Sequence, residues 1–380
     1  MERLAYVGAA IHDGARLHEN RVLLVSDGVV EGIAEAVPEG YARRDLKGDT
    51  LCPGFVDLQV NGGGGVMFDG GADVGTLRTI AAAHRRTGTV GLLPTLITDR
   101  PEASAAAVET VARAVAEGVP GILGLHLEGP HLSQARKGAH DPGLIRPIGA
   151  ADMEILLGAA ARLPNLMLTV AAETVTPEQI TRLDAAGVIV SLGHSDAGYD
   201  ACRAAFAAGA RCTTHLYNAM SGLGHREPGL VGATLDGAGA AGLIADAIHV
   251  HPAAIRIAMR ARPEGLFLVT DAMAPVGSEI AEFTLNGRRI LRRDGRLTLA
   301  DGTLAGADLT MPRAIAVMTG EVGTDPGTAI AMATGRPAAL LRDRRGAGRL
   351  VGAPLSRVVR LAADYSAAAP LSEAGAAISR

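Results

Sequence analysis

The chain has 380 residues, 48% of them hydrophobic, and its 36 Lys and Arg against 40 Asp and Glu leave a net charge of −4. This composition supports a large core, enough for one α/β domain and a small accessory domain, and excludes the basic field that nucleic acid or an anionic membrane would need. Because the 3 cysteines are scattered and no stretch approaches the ~20 apolar residues of a membrane span, we expect an unprocessed cytoplasmic protein.

The first 50 residues have the pattern of short strands separated by turns. Residues 5–9, 21–25 and 29–33 are strand-like, and the pair Asp27-Gly28 between the last two is a hairpin signal. The segment therefore predicts a small all-β unit.

Residues 51–341 alternate between apolar strand-like segments and Ala-rich segments with helical periodicity. The predicted helices are 74–87, 101–117, 151–162, 177–186 and 199–208. Repeated strand-helix units over this length are typical of a (β/α)8 barrel of the TIM type, an α/β fold. Near residues 280–302, Asn-Gly and Asp-Gly pairs between strand-like runs predict a β-hairpin insertion beside the barrel mouth.

The last segment, residues 342–380, again has strand character at 349–352 and 356–361. Neither end of the chain is long enough to enclose a hydrophobic core alone. We therefore predict that residues 1–50 and 342–380 combine into a small β-sandwich domain beside a catalytic barrel of residues 51–341.

Four polar segments follow apolar strands of the predicted barrel. A strand that faces a helical layer gains no stability from ending in Glu, His or Asp, whereas barrel enzymes carry their chemistry at the carboxyl ends of strands. We therefore expect the four segments to meet at one mouth of the barrel. They are HLEGP (126–130), SLGHS (191–195), THLYNAM (214–220) and LVTDAM (268–273).

Glu128, His194 and His215 supply one carboxylate and two imidazoles from these segments. Such a set suits zinc or another divalent ion that keeps an open position for water. His194 and His215 lie 21 residues apart, roughly one strand-helix repeat, so neighbouring strand ends would carry both rings. Either histidine alone is more often a structural residue, and a structural role for His126 is at least as plausible as ligation. The combination with Glu128 predicts a metal centre.

Asp271 follows the apolar segment 265–269, so its carboxylate also falls at the predicted mouth. Metal binding lowers the pKa of water toward about 7, and a nearby carboxylate can take the proton during attack on a carbonyl and return it to a leaving amine. Asp271 is the candidate general base. Taken alone it could instead cap a helix, since Asp is favoured at that position.

Five further segments complete an ordered pattern. Together with the four polar segments they resemble the amidohydrolase superfamily and, within it, the family of N-acetylglucosamine-6-phosphate deacetylases. The resemblance covers nearly the whole chain and is loose only over residues 345–380. The five segments are PGFVDLQVNG (53–62), KGAH (137–140), REPG (226–229), IADAIHV (244–250) and LAG (304–306).

The resemblance implies a homodimeric enzyme that hydrolyses N-acetylglucosamine 6-phosphate to glucosamine 6-phosphate and acetate. It assigns the metal ligands to Glu128, His194 and His215 and the catalytic carboxylate to Asp271. It also implies that His140 polarises the acetyl carbonyl and that Arg226 reaches the phosphate in the neighbouring subunit, a role that suits the bidentate guanidinium. The substrate-binding positions it implies are Ala139, His140, Asn218, Ala219, Arg226, His249, Leu304, Ala305 and Gly306.

Gln59 and Asn61 stand where many amidohydrolases carry the His-x-His pair that holds a first metal. Neutral amides are poor ligands beside imidazole, so we expect that position to be vacant and each subunit to bind one divalent ion. Zinc is the expected metal, and iron, cobalt and manganese also suit the remaining donor set.

Two other functions are compatible with the same residues. The enzyme could act on N-acetylgalactosamine 6-phosphate or another N-acyl substrate, because epimers differ by one hydroxyl. A barrel without catalytic activity could instead bind a sugar phosphate, but such a protein would not need a base opposite a metal.

Overall fold

The computed structural model describes residues 2–237 and 239–372, which alternate between short strands and helices over most of their length. In chain order the strands are β1 (Arg3–Val7), β2 (Ala10–His12), β3 (Leu17–His18), β4 (Val22–Ser26), β5 (Val29–Ala34), β6 (Ala42–Asp45), β7 (Thr50–Pro53), β8 (Phe55–Val60), β9 (Gly62–Gly63), β10 (Val66–Met67), β11 (Thr89–Ile97), β12 (Leu125–Glu128), β13 (Leu166–Val170), β14 (Ile189–Leu192), β15 (Cys212–Thr213), β16 (Ala240–Leu243), β17 (Leu266–Leu268), β18 (Glu282–Leu285), β19 (Arg288–Arg293), β20 (Arg296–Thr298), β21 (Leu304–Ala307), β22 (Val358–Leu361) and β23 (Ala368–Pro370). The α-helices are α1 (Val74–Arg85), α2 (Pro101–Ala116), α3 (Ala150–Arg162), α4 (Pro177–Ala185), α5 (Tyr199–Ala207), α6 (Gly229–Leu235), α7 (Pro252–Ala261), α8 (Met311–Val317), α9 (Pro326–Ala333) and α10 (Gly335–Leu340).

A parallel barrel forms the centre of the molecule. Within the described residues its sheet has eight strands in the order β17-β16-β15-β14-β13-β12-β11-β8. A parallel bridge between Val60 and Ala272 brings the first and last strands together, and the Asp271 N–H donates to the Gln59 carbonyl over 3.0 Å across the same seam. The predicted (β/α)8 barrel is confirmed.

Burial and local capping explain why the barrel elements form where the sequence predicts them. β12 and β13 are buried at every residue, as expected of parallel strands covered by helices. Helix α4 begins at Pro177, and the side chains of Thr176 and Gln179 cap its first turn in a reciprocal capping box. The five predicted helices agree with α1 to α5 to within two residues at each end.

Strands from both ends of the chain form two further sheets. Their orders are β5-β4-β1-β6 and β23-β22-β7-β2-β3, and β7 pairs antiparallel with β22, which joins the two termini. A separate apolar cluster that includes Ile11, Leu23, Leu51 and Val358 fills this unit. The predicted small β-sandwich from both termini is confirmed, while the domain boundaries at residues 50 and 342 stay predictions.

The C-terminal segment differs from the prediction at one point. Residues 349–352 do not form a strand, because Gly352 has a left-handed φ of 82° and turns the chain. The Gly352 N–H donates to Val30 O, while Leu350 is buried in the terminal cluster. The strand-like composition of residues 349–352 therefore reflects packing of Leu350 in a turn. The second predicted strand is present as β22, and residues 373–380 lie outside the described part.

The insertion after β17 is larger than the predicted hairpin. It is a four-stranded antiparallel sheet within the described residues, in the order β18-β19-β20-β21, and it extends to Ala307. Leu285, Ile290 and Leu297 pack with Met273 in a small apolar cluster, and the Arg288 guanidinium donates to the Ala139 carbonyl. The sheet therefore covers part of the barrel mouth. Among the described helices, none combines the length and hydrophobicity needed to cross a bilayer.

Candidate active site

The four polar segments meet at the carboxyl end of the barrel. Glu128 is the last residue of β12, and His194, His215 and Asp271 follow β14, β15 and β17 by two or three residues. His194, His215 and Asp271 have positive φ values of 47°, 26° and 52°, which non-glycine residues rarely adopt. These strained turns end the strands and bring the polar side chains to the mouth, as is common at functional sites.

Glu128, His194 and His215 form a buried cluster. His215 Nε2 lies 3.0 Å from Glu128 Oε1 and 3.1 Å from His194 Nε2, and His194 Nε2 lies 3.4 Å from Glu128 Oε1. The three side chains are 4% to 6% exposed. Their candidate ligand atoms all lie within 4.8 Å of one another, so the cluster can hold a metal ion.

The hydrogen bonds of His194 indicate that this cluster suits a cation. His194 Nδ1 lies 2.8 Å from the Arg136 carbonyl and must donate its proton to that acceptor, which leaves a lone pair on Nε2 in the neutral ring. That lone pair faces the Glu128 carboxylate and His215 Nε2. One carboxylate and two imidazole nitrogens that converge in this way form a donor set that a divalent metal can bind.

Asp271 lies beside this cluster and is held by two amides. Asn61 Nδ2 donates to Asp271 Oδ1 over 2.6 Å, and Gln59 Nε2 donates to Asp271 Oδ1 over 3.1 Å and to Glu128 Oε1 over 2.9 Å. Both amides therefore act as hydrogen-bond donors to the carboxylates, while the vacant first-metal position expected at Gln59 and Asn61 stays a prediction. Within the described residues, Asp271 Oδ2 accepts no hydrogen bond and is the oxygen free for proton transfer.

The pKa values of the two carboxyl groups, Asp271 and Glu128, are shifted in opposite directions. Burial, and next the charge of Glu128, raise the pKa of Asp271 to about 6. Burial also disfavours ionised Glu128, but His194 and His215 outweigh it and hold the pKa of Glu128 well below its ordinary value. The site thus contains a firmly ionised carboxylate for a cation and a second carboxyl that titrates near neutrality.

His140 presents a proton to the same cavity. The Thr98 N–H donates to His140 Nδ1 over 3.3 Å, and the Thr98 hydroxyl lies 2.7 Å from the same nitrogen. With Nδ1 as the acceptor of the N–H, the ring proton is on Nε2, which is 4.0 Å from Glu128 Oε2. Burial, and next the charge of His194, lower the pKa of His140 to about 3, which keeps the ring neutral. His140 can therefore donate to the carbonyl oxygen of a substrate bound next to the cluster.

A cavity of about 380 Å³ connects these groups with most of the predicted substrate positions. Ala305 is buried on β21 behind its lining, and Arg226 is exposed, outside the lining and without a hydrogen bond or ion pair among the described residues. His249 Nδ1 lies 2.6 Å from Asp246 Oδ2, which orients its ring. The predicted residues that line the cavity are Asn61, Glu128, Ala139, His140, His194, His215, Asn218, Ala219, His249, Asp271, Leu304 and Gly306.

Comparison with known proteins identifies this architecture. A profile of the amidohydrolase family matches residues 50–350. The chain belongs to the amidohydrolase family. This amidohydrolase is 42% identical over 341 residues to the N-acetylgalactosamine-6-phosphate deacetylase of Shewanella sp. (strain ANA-3), a match that covers 88% of the chain and 86% of the relative.

Two further relatives resemble this amidohydrolase over similar lengths. The human N-acetylglucosamine-6-phosphate deacetylase is 39% identical over 325 residues, covering 81% of the chain and 78% of the relative. The crystal structure of N-acetylglucosamine-6-phosphate deacetylase from Pasteurella multocida superposes with a TM-score of 0.90 at 35% identity, covering 96% of the chain and 97% of that structure.

Sequence reasoning missed several residues around the amidohydrolase cavity. Arg136 lines it, and its carbonyl orients His194, while Ile97 and Ile244 supply apolar wall. Their identities carry no catalytic signal, although Arg136 lies next to the KGAH segment. His126 is directed elsewhere: its Nε2 lies 2.8 Å from Thr169 Oγ1, and it does not line the cavity, which favours the structural interpretation.

Proposed function

We propose that this amidohydrolase uses one divalent metal ion to hydrolyse N-acetylglucosamine 6-phosphate to glucosamine 6-phosphate and acetate. One observation carries the proposal: the buried cluster of Glu128, His194 and His215 opens onto the same cavity as Asp271 and His140. A cation site, a base and a carbonyl-directed donor are the groups that amide hydrolysis needs.

A metal held by Glu128, His194 and His215 would lower the pKa of water and polarise the acetyl carbonyl. Asp271 takes a proton from the attacking water and returns it to the departing nitrogen. A pKa of about 6 suits both steps, because the group must be ionised first and protonated later. His140 Nε2–H donates to the carbonyl oxygen, where negative charge develops during attack.

The proposed substrate fits the cavity in size and chemical character. Its volume of about 380 Å³ falls within the range of small-molecule sites, about 300–1,000 Å³. Asn218 and His249 offer polar side chains to the sugar, and Ala219 and the segment Leu304–Ala307 offer backbone groups. The named relatives are deacetylases of 6-phosphorylated N-acetylhexosamines, which supports the same substrate class here.

In the proposed homodimer, Arg226 binds the phosphate of the substrate that occupies the neighbouring subunit. Its exposed guanidinium has no partner among the described residues and lies outside the cavity of its own chain. A guanidinium binds phosphate in a bidentate manner, and a net charge of −4 gives the chain no overall basic field that would attract the phosphate instead.

Zinc is the proposed metal because one carboxylate and two imidazoles are typical zinc donors, and iron, cobalt or manganese can replace it with the same ligands. The cytoplasm is the proposed location. The cysteines Cys52, Cys202 and Cys212 are all buried free thiols, as expected under reducing conditions.

Acetate release from purified, metal-loaded protein tests the function. We expect rapid release from N-acetylglucosamine 6-phosphate and slow release from unphosphorylated N-acetylglucosamine, because the latter lacks the group that Arg226 binds. Failure to release acetate from the phosphorylated sugar, with metal bound, would reject the proposal.

N-acetylgalactosamine 6-phosphate is the second candidate substrate. The observation that favours it is the 42% identity to a relative named for that epimer. The two sugars differ at one hydroxyl, so the ratio of kcat/KM for the two epimers under identical conditions decides between them.

A further inference from the structure

The side-chain oxygen of Asn61 is a buried acceptor without a donor. Among the described residues, the buried side-chain atoms that lack a hydrogen-bond partner are Asn61 Oδ1, Thr89 Oγ1 and His215 Nδ1. Thr89 starts β11, at the opposite end of the barrel, and His215 belongs to the metal cluster. Asn61 is 1% exposed and lines the cavity.

The contact with Asp271 fixes which end of the Asn61 amide is the oxygen. Nδ2 lies 2.6 Å from Asp271 Oδ1, and an ionised carboxylate can only accept a hydrogen bond. The opposite orientation would place two acceptors in contact. Oδ1 is therefore the atom left unpaired, and it is attached to the same amide carbon as the nitrogen that touches the base.

A buried acceptor of this kind costs stability unless a ligand satisfies it. The substrate of the proposed reaction brings one N–H to this part of the site, on the nitrogen of the amide that is cleaved. His140 is directed at the carbonyl oxygen of that amide, and Asp271 must reach its nitrogen. The donor that Asn61 lacks is thus present on the scissile group itself.

We propose that Asn61 is a further catalytic residue, whose Oδ1 accepts a hydrogen bond from the N–H of the scissile amide and holds the nitrogen beside Asp271. This inference rests on the proposed deacetylase function and deepens it. The oxygen of water bonds to the acyl carbon while Asp271 takes a proton from that water. The C–N bond then breaks, the proton passes from Asp271 to the nitrogen, and Asn61 retains its hydrogen bond to the departing amine.

The arrangement also selects amides over esters. An ester oxygen carries no hydrogen, so it would leave Asn61 Oδ1 unpaired and place two acceptors near each other. A site built to bind an N–H discriminates against an analogue that lacks it. Gln59 provides the matched control, because its Nε2 also donates to Asp271 Oδ1 but, unlike Asn61, it does not line the cavity.

The test compares N-acetylglucosamine 6-phosphate with 2-O-acetylglucose 6-phosphate in the wild type, Asn61→Ala and Gln59→Ala, all with metal content measured. We expect Asn61→Ala to lower kcat/KM for the amide about tenfold more than for the ester, as the loss of one buried hydrogen bond predicts. Gln59→Ala should lower both by a similar factor. Equal losses for amide and ester in Asn61→Ala would overturn the role of Asn61 while leaving the deacetylase function intact.

Product inhibition provides a second readout if the ester is not hydrolysed. Glucosamine 6-phosphate carries the amine that Asn61 would hold, and glucose 6-phosphate does not. Asn61→Ala should weaken inhibition by the amine product about tenfold relative to glucose 6-phosphate, and an unchanged ratio would overturn the inference. Absence of amide hydrolysis by the metal-loaded wild type is the distinct result that rejects the deacetylase function.

Discussion

At the residue scale, Asp271 is subject to two opposing influences. Burial and the charge of Glu128 favour its neutral form, whereas Asn61 Nδ2 and Gln59 Nε2 donate to its Oδ1 and favour the ionised form. Its backbone is held at a φ of 52°, a conformation that only the surrounding structure enforces. The result is a carboxyl that can exchange a proton near neutral pH in a fixed position.

Substitution of Asp271→Asn removes the titrating oxygen while keeping the side-chain shape. We expect kcat to fall about 10²- to 10⁴-fold, the usual contribution of a positioned base. Bound metal should stay near the wild-type level because Glu128, His194 and His215 are unchanged. Asp200→Asn on the exposed face of α5 is the matched control. A kcat within tenfold of the wild type at full metal content would contradict the assignment.

The pH dependence of kcat/KM follows from the same carboxyl. Asp271 must be ionised to take a proton, so activity should fall as pH drops through a pKa that lies at or below about 6, since a bound cation lowers it further. The measurement is a pH profile with metal content determined at each point. An acid limb centred above neutrality, with metal retained, would contradict this role.

At the element scale, Asp57 joins the first and last barrel strands. Thr270 Oγ1 donates to Asp57 Oδ2 over 2.5 Å, and the Thr270 and Gln59 N–H groups donate to Oδ1 over 3.3 and 3.2 Å. The carboxyl is fully buried on β8, and its partner Thr270 directly precedes Asp271 in the chain. It therefore holds the seam on which the catalytic turn depends.

Stability should depend on pH through Asp57. Burial raises its pKa to about 7 in the folded chain, from an ordinary value of 3.8. Between these values the folded state binds more protons than the unfolded chain, so this contribution to stability is lost as pH rises toward and through about 7. The test is the thermal midpoint of the wild type minus that of Asp57→Asn. This difference should be smaller at about pH 8 than at about pH 5. A difference in thermal midpoint that does not change with pH would contradict the raised pKa of Asp57.

The predictability of the elements follows from how local their signals are. Helices α1 and α4 have side-chain caps, and α2 and α4 begin with proline, so these start signals lie within the local sequence. The apolar segment 349–352 has the composition of a strand but packs in a turn, which depends on its contact with Val30. The fourth strand of the insertion follows the turn at Asp301-Gly302 and pairs with β20, so its turn signal is local, but the predicted hairpin ends at residue 302 and leaves this strand out.

The predictability of the site has a similar limit. Residues at strand ends reach the barrel mouth because parallel strands share a direction, which is why Glu128, His194 and His215 could be grouped from sequence. The unpaired oxygen of Asn61 depends on the positions of Asp271 and Gln59 across the seam. No spacing rule contains that information.

At the scale of the whole molecule, the cavity is incomplete within one chain if Arg226 supplies the phosphate contact. The guanidinium is exposed on a loop that also carries Leu223, whose side chain is 61% exposed. An exposed apolar residue beside an unpaired cation suits a surface covered by a second subunit.

Mixed dimers of Asp271→Asn and Arg226→Ala test this arrangement. If Arg226 acts across the interface, the Arg226→Ala chain keeps its own base and receives an intact Arg226 from its partner. Mixing two impaired variants should then restore activity at substrate concentrations well below KM. No recovery after verified subunit exchange would show that Arg226 acts within its own chain or not at all.

We propose that one divalent metal per subunit, held by Glu128, His194 and His215, supports deacetylation. The most direct test is stepwise addition of zinc to chelator-treated protein, with acetate release from N-acetylglucosamine 6-phosphate measured at each step. We predict activity that rises linearly and levels off at about one equivalent per chain, as three protein ligands with one open position imply. Full activity without metal, or a rise that continues to two equivalents, would contradict a single catalytic metal per chain.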